Sequence, residues 1–518
     1  MVEGWDEVAV PTAPPEDWQC WTISIWVRSS EVAGVITSGV LPTMDPLSRP
    51  NCETKLGNML SLVAIGAALC MNVASATLQI IPGSTWTAKG TNQHVQAHGG
   101  GRLNILLDRG EQAGWELLPV NQLLLQYCTW QSIDAHGTGL TCPKDLVQWT
   151  FVNELLTLQP SGELGPSRVV ERPHIIYNSA TSKYVMWLHI DSSSYGEAKA
   201  GVATSSSVCG DYTYLGSSQP LGHQSRDVNL FKDTDGTAYL LTEDRASGLR
   251  IDRLSSDYLS VTSEVYTFGS YESPAIYKSG STYFMFASHL TDANDNVYTT
   301  AANLSGPWAA WKKFADSGSN TYSSQTTAVV SINGVVMYMG DRWVSTNLMR
   351  STYVWLPLAI SGTTASMSNK VNWVINPSAG TWSGGPSETS PEAEASSNTI
   401  ESGAKAVTCS GCSGSKSIGY IGGSSGGTLT FPAISSTSST MTTIRIKYEN
   451  GDKSQRYGTV VVNGVSNIVA FLPSPDGNTP GTSVLTVPLN SGSANVIKFE
   501  AYNGGYVADI DRLMIPVS

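Results

Sequence analysis

Four times between residues 174 and 343 the chain repeats one short grammar: an alternating apolar run, a tight polar turn, and a second run rich in aromatics. The instances are "HIIYNSATSKYVMWLHI", "VNLFKDTDGTAYLLTED", "PAIYKSGSTYFMFASH" and "AVVSINGVVMYMGDRW". Alternating runs joined by Gly, Asn, Asp or Ser specify β-hairpins, because strand side chains point to opposite faces in turn. The starts near 174, 228, 274 and 328 lie 54, 46 and 54 residues apart, the length of one four-stranded blade. No long 3.6-residue period interrupts them. An all-β fold with a five-bladed β-propeller is therefore expected, counting a first blade near 90–160.

The propeller unit is expected to span 77–383, with residues 102–141 anomalous because they lack the hairpin grammar. "SGGPSETSPEAEASS" is rich in Gly, Pro and Ser, and 384–391 reads as a linker. Residues 392–518 return to β alternation, with turns at "YENGDKSQ", "VVNGVSN" and "SPDGNTPG", and have the length of a jelly-roll-like β-sandwich.

Residues 1–58 show neither strand nor helix period and read as an unstructured or spurious extension. From Met59 an apolar stretch runs to Ala74-Ser75-Ala76, a small-x-small cleavage pattern, so 59–76 reads as a secretory signal peptide. The alternative is a membrane anchor, for which the run is shorter than the ~20 residues a bilayer requires. Secretion would put the mature chain in an oxidising compartment with Cys128, Cys142, Cys209, Cys409 and Cys412. Cys409 and Cys412 form a C-x-x-C that suits a small loop disulfide; redox chemistry or half a zinc site would want a second pair or a βαβ context.

Charged residues make up 14% of the chain and the net charge is -12, without Lys/Arg clusters, which excludes nucleic acid and anionic membrane as partners. A neutral polar ligand is expected, bound by a monomer.

In a propeller the first strand of every blade faces one axis, so residues at equivalent strand starts meet although ~50 residues separate them. Glu171, Asp227 and Glu272 each stand just ahead of a hairpin, two of them two residues before Pro. Each alone would be a turn cap or an ion-pair partner, as Glu171 with Arg172 and Asp227 with Arg226. Three carboxylates on one cavity raise the proton affinity of at least one, and a protonated acid beside an ionised one is what glycosidic cleavage uses.

The motifs "VVERPHIIYN", "SSSYGEAKAGVATSSSVCGDYTYLGS", "SRDVNLF", "YESPAIYKSGSTYFMFASH" and "MGDRW" resemble glycoside hydrolase family 43, in its exo-β-1,3-galactanase branch. The resemblance implies a five-bladed propeller and inverting hydrolysis of β-1,3-galactan in arabinogalactan, a plant cell-wall polysaccharide. It makes Glu272 the general acid, Asp227 the carboxylate that tunes it, and Glu171, with Tyr195, a ligand of the terminal sugar. Most of the family takes its base from a first-blade Asp; this chain has "QAHGGG" there, and Gln325 is the residue that would hold the attacking water. An arabinofuranosidase or xylosidase of the same family, and a non-catalytic carbohydrate-binding protein, are the alternatives. Cys142 and Cys209 match positions that the family often links by a disulfide.

The C-terminal segment resembles carbohydrate-binding module family 35 through "PEAEA", "YENGDKSQRYGTVVVNG" and "YNGGYVADIDRLMI". That resemblance implies a structural calcium ion on Glu392, Glu394 and Asp511, and sugar contacts from Tyr506, Asn503 and Arg456. No cofactor is expected for catalysis.

Overall fold

The structure is a computed structural model that describes residues 78–95 and 146–517, apart from 152, 291–293, 333, 377–378, 438 and 477, together with four two-residue strands between 105 and 128. The readings of 1–58, 59–76 and most of 102–141, with Cys128 and Cys142, fall outside the described side chains. The regular secondary structure of the described residues is almost entirely strand, as the hairpin grammar requires.

Three four-stranded antiparallel meanders follow one another. The first holds Arg168–Asn178, Lys183–Ser192, Lys199–Ser205 and Thr213–Ser218; the second Val228–Lys232, Ala238–Asp244, Gly248–Leu254 and Val261–Thr267; the third Tyr271–Ser279, Thr282–His289, Val297–Ala301 and Lys312–Lys313. A fourth sheet has three strands, Gln325–Ile332, Val335–Arg342 and Thr352–Pro357. Each of the four quoted hairpins forms the first two strands of one sheet.

Neighbouring sheets share cores because both strand faces are apolar. Leu240 and Leu241 are each 0% exposed, yet Leu240 packs with Trp187 and Val185 of the first sheet, while Leu241 packs with Met285 and Ile276 of the third. Burying one such side chain contributes about 1.5–3 kcal/mol, so successive sheets are locked in order. The first strands lie side by side. Asn229 donates from Nδ2 to the carbonyls of Pro274 and Thr327, 2.8 Å each, joining the second, third and fourth sheets by one buried side chain. Arg172 donates to the Thr326 carbonyl at 3.1 Å and joins the first to the fourth.

Two local features stand apart from what the residue types alone would suggest. Proline biases the residue before it away from the right-handed helical region, but Arg172 and Ser273 are not extended. They take φ of 49° and 54°, and the register slips at both places, between Glu171 and His174 and between Glu272 and Ala275. A third slip follows Gln325, between Thr326 and Ala328. A β-bulge re-aims the side chain at its edge, so three sheets carry the same device just past a site residue. Second, the stretch read as a linker is partly structured: Ser387–Thr389 pairs antiparallel with the last strand, Asp509–Val517.

The C-terminal segment forms a six-stranded and a five-stranded antiparallel sheet around one buried core, with Ile446, Tyr448 and Leu513 from one and Phe431, Phe499 and Val460 from the other. Residues 78–95 touch both parts. Ile80 bridges Trp373, Thr85 bridges Ser483, and buried His94 stacks on Tyr353.

Candidate active site

The bulged strand starts open on a cavity of about 700 Å³, lined by Glu171, Asp227, Glu272 and Gln325 together with His189, Tyr195, Glu243, Arg245, Asp341 and Trp343. The structure thus brings together all five residues that the sequence proposed for this pocket.

Buried Arg172, which does not itself line the cavity, holds three of the side chains around it in fixed order. Its Nε pairs with Asp227 Oδ1 at 3.0 Å, and its Nη2 donates to Ser273 Oγ at 2.7 Å and to Gln325 Oε1 at 2.6 Å. Ser273 in turn donates to Asp227 Oδ2 from its hydroxyl at 2.6 Å and its backbone N–H at 3.0 Å. Burial pushes the Asp227 carboxyl up, but Arg172, then Ser273, outweigh it and hold the group below its usual range. Asp227 is therefore a fixed negative charge.

Glu272 behaves oppositely. Burial first, then the charges of Asp227 and Glu243, push its carboxyl up to about 8 against the pull of Arg172 and Arg245. Two neighbouring acids with proton affinities driven apart are the signature of an acid and its ionised companion. Glu272 Oε1 accepts from Gln325 Nε2 at 2.9 Å and Oε2 from Arg245 Nη2 at 3.2 Å.

Gln325 is in the site but fully engaged. Oε1 accepts from Arg172, and Nε2 faces Glu272 and Ser288 Oγ, the latter at 3.2 Å. An inverting pair needs roughly 6.5–9.5 Å between the acid and the group that holds water. The observed contact is far shorter, so the water-holding role requires Gln325 to leave this arrangement. Asp341, its cross-strand partner, brings a buried carboxylate to the same cavity.

On the first sheet Glu171 is gripped by Tyr195, whose hydroxyl donates to Oε1 at 2.7 Å, and by His189 Nδ1, 3.3 Å from Oε2. The other His189 nitrogen lies 3.1 Å from Asp191. Burial alone would lower the imidazole, but Asp191 and Glu171 outweigh it and carry it up to about 9. Glu171 is thus a well-oriented acceptor of hydroxyl groups.

His189, Arg172, Glu243, Arg245, Asp341 and Trp343 were missed in the sequence. The i, i+2 pairs His189/Asp191 and Glu243/Arg245 carry a signal, since alternate strand residues share a face. For Arg172, the left-handed backbone that turns it inward has no such signature.

In the C-terminal part, Glu392, Glu394 and Asp511 converge on the turn at 413–414. Ser413 donates from Oγ to Glu392 Oε1 at 2.7 Å and from its N–H to Asp511 Oδ1 at 3.0 Å. Gly414, at φ 58°, passes so close to Glu394 that a Cβ would sit 2.7 Å from Oε1. Glu392 Oε2 and Glu394 Oε2 are buried without a hydrogen-bond partner among the described residues, and Asp511 Oδ2 meets only Arg512, at 3.5 Å. Orphaned carboxylate oxygens are the donors a hard cation takes, but among the described residues Glu392, Glu394 and Asp511 do not bring one oxygen each to within 4.8 Å of one another, so holding one ion would need their side chains to close up. Cys409 and Cys412 form a disulfide just before this turn; Cys209 is also disulfide-bonded.

Tyr506 is 48% exposed and meets the equally exposed Tyr420 edge to face at 6.5 Å. Arg456 stands beside them, donating to the Val507 carbonyl at 3.2 Å and to Asp452 at 2.7 Å, and Asn503 lies in the adjoining turn.

No curated protein matches the chain. The family model for glycosyl hydrolases family 43 matches residues 126–335. Among solved structures, an exo-β-1,3-galactanase from Phanerochaete chrysosporium with galactose is 34% identical, covers 84% of this chain and 100% of its own length, and superposes with a TM-score of 0.54. A variant of that enzyme with β-1,3-galactotriose matches equally. An exo-β-1,3-galactanase from Clostridium thermocellum, 20% identical over 83% of this chain and 99% of its own, with a TM-score of 0.50, shares the fold. On this identity over the relative's full length, the chain belongs to glycosyl hydrolase family 43.

Proposed function

We propose that the protein is a secreted exo-β-1,3-galactanase that removes galactose from β-1,3-galactan and arabinogalactan with inversion at the anomeric carbon. The observation that carries this reading is Glu272, buried, raised in proton affinity and beside the ionised Asp227. Glu272 delivers its proton to the glycosidic oxygen as the C1–O bond breaks, and water adds to C1 from the opposite face, giving up its proton to the residue that holds it, Asp341 or Gln325 of the fourth sheet. Asp227 keeps the proton on Glu272 by its charge. Glu171, held by Tyr195 and His189, accepts hydroxyl hydrogens of the terminal sugar. Similarity to an enzyme solved with galactose and with β-1,3-galactotriose supports galactan over arabinan or xylan.

The fold proposed for the whole is a five-bladed propeller followed by a β-sandwich carbohydrate-binding module. The side-by-side first strands of four sheets support the propeller, and the shared core of the last two sheets supports the sandwich. The module's calcium ion would sit on Glu392, Glu394 and Asp511, where it supplies a structural cross-link between the first and last strands. Its sugar face would be Tyr506 and Tyr420 with Arg456 and Asn503.

Incubation of the purified protein with β-1,3-galactan, arabinan and xylan tests the reading. Release of galactose from galactan alone is expected; release of only arabinose or xylose overturns it in favour of the other activities of the family.

A further inference from the structure

Just before Gln325 the backbone takes the rarer hand. Asn320, Thr321, Tyr322 and Ser323 have φ of 49°, 50°, 58° and 58°, four consecutive left-handed residues without a glycine. Each such residue sets its Cβ against the following carbonyl oxygen, so single residues visit this region and whole turns of it do not form unaided. Backbone strain of this kind gathers at functional sites and persists only where the surroundings over-determine it.

Here they do. Asp295, from the segment ahead of the strand Val297–Ala301, accepts from the Asn320 N–H on Oδ1 at 2.9 Å and from the Gly318 N–H on Oδ2 at 2.7 Å. Lys313 also donates to Oδ2, at 2.7 Å. Thr321, 0% exposed, accepts from the Asn296 N–H at 2.8 Å, and the Tyr322 carbonyl accepts from Arg342 Nη2 at 2.9 Å. Ser324 closes the turn. Its hydroxyl donates back to the Thr321 carbonyl at 2.6 Å, and its carbonyl accepts from Asn296 Nδ2 at 3.2 Å.

The residue left over is Ser323. It is exposed on the wall of the cavity, two positions before Gln325, and its hydroxyl has no hydrogen-bond partner among the described residues, whereas Thr321 and Ser324 use theirs within the protein. We propose that the left-handed turn at 320–323 is a saccharide-binding element of this cavity, in which Ser323 exchanges a hydrogen bond with a sugar hydroxyl and Asp295 is the positioning residue that holds the turn. The inference rests on the glycosidase reading. A serine hydroxyl both donates and accepts, as does each hydroxyl of a neutral sugar, so the two are matched without any charge. A backbone relaxed to negative φ would re-aim the Ser323 side chain. The contacts that maintain the strain therefore also fix that hydroxyl before the sugar arrives.

Steady-state kinetics of the full chain on β-1,3-galactotriose test this, with melting temperatures as the check on folding. Ser323→Ala is expected to raise KM about three- to tenfold, the loss of one neutral hydrogen bond, and to leave kcat near that of the parent. Asp295→Ala is expected to raise KM by at least as much, and Asp295→Asn, which keeps one acceptor oxygen, to fall between it and the parent. Adding Ser323→Ala to Asp295→Ala is expected to raise KM no further, because both act on one contact. Should Asp295→Ala fail to fold, Asp295→Asn takes its place in the cycle. Effects that multiply overturn the positioning role of Asp295, since a residue needed only for folding would act independently of Ser323. A parent that cleaves galactotriose with the same KM as Ser323→Ala overturns the binding role of the turn and leaves the glycosidase reading standing. A parent that leaves galactotriose uncut overturns both.

Discussion

Arg172 and Gln325, 153 residues apart in the chain, meet at 2.6 Å, and that contact turns the Gln325 amide so that its nitrogen faces Glu272. An amide held this way is a poor acceptor for a water proton, whereas Asp341 opposite it is a carboxylate. If either residue activates water, its removal is rescued by a small anion that attacks without deprotonation. Azide is expected to restore turnover to Asp341→Asn or Gln325→Ala, whichever is the water holder, giving α-galactosyl azide; the other variant gains nothing. Product anomers are read by NMR.

Glu272 sets the alkaline limit of activity. Since its carboxyl is pushed up to about 8, kcat/KM on β-1,3-galactan is expected to fall as pH rises through that value. Asp227→Asn removes a charge that raises it and should move the limb lower by on the order of one pH unit. Stability carries the matching sign. The folded protein keeps this proton where the unfolded chain, with an ordinary value of 4.5, has lost it. The group's contribution therefore declines as pH rises from 4.5 to about 8 and is level beyond. Calorimetry of Glu272→Gln across that window should show a shallower decline than the parent.

The strand grammar was legible because it depends on side-chain alternation and turn residues, which are local. Glu171, Asp227 and Glu272 were legible because the repeat puts them at equivalent strand starts. Arg172 was not: its role depends on a left-handed backbone at φ 49° and on partners 55 to 154 residues away. The same holds for Gln325, whose place in the cavity could be proposed but whose engagement with Arg172 and Glu272 depends on how three bulged strands converge. The stretch 384–391 reads as a linker by composition, yet Ser387–Thr389 completes a sheet, because an edge strand needs only three residues with free backbone groups.

The orphaned oxygens of Glu392 and Glu394 predict a calcium-dependent melting temperature. Calcium at a hundredfold its Kd should add about 2.7 kcal/mol to the stability of the C-terminal part. Chelation should remove this gain in the parent and change nothing in Glu392→Gln/Glu394→Gln, as followed by calorimetry.

Tyr506 presents an exposed ring far in sequence from the cavity residues. Tyr506→Ala is expected to weaken retention on insoluble galactan severalfold, with kcat on β-1,3-galactotriose unchanged, because the loss of one stacking ring costs about 0.5–1.5 kcal/mol. Affinity electrophoresis and a soluble-substrate assay separate the two effects.

The central claim is that Glu272 delivers the proton. Comparing the parent with Glu272→Gln on β-1,3-galactotriose and on 2,4-dinitrophenyl β-galactoside tests it most directly, since the second leaving group departs without protonation. The account predicts that the variant loses roughly 10²- to 10⁴-fold in kcat on the trisaccharide and little on the activated glycoside. Equal rates for parent and variant on the trisaccharide would contradict it.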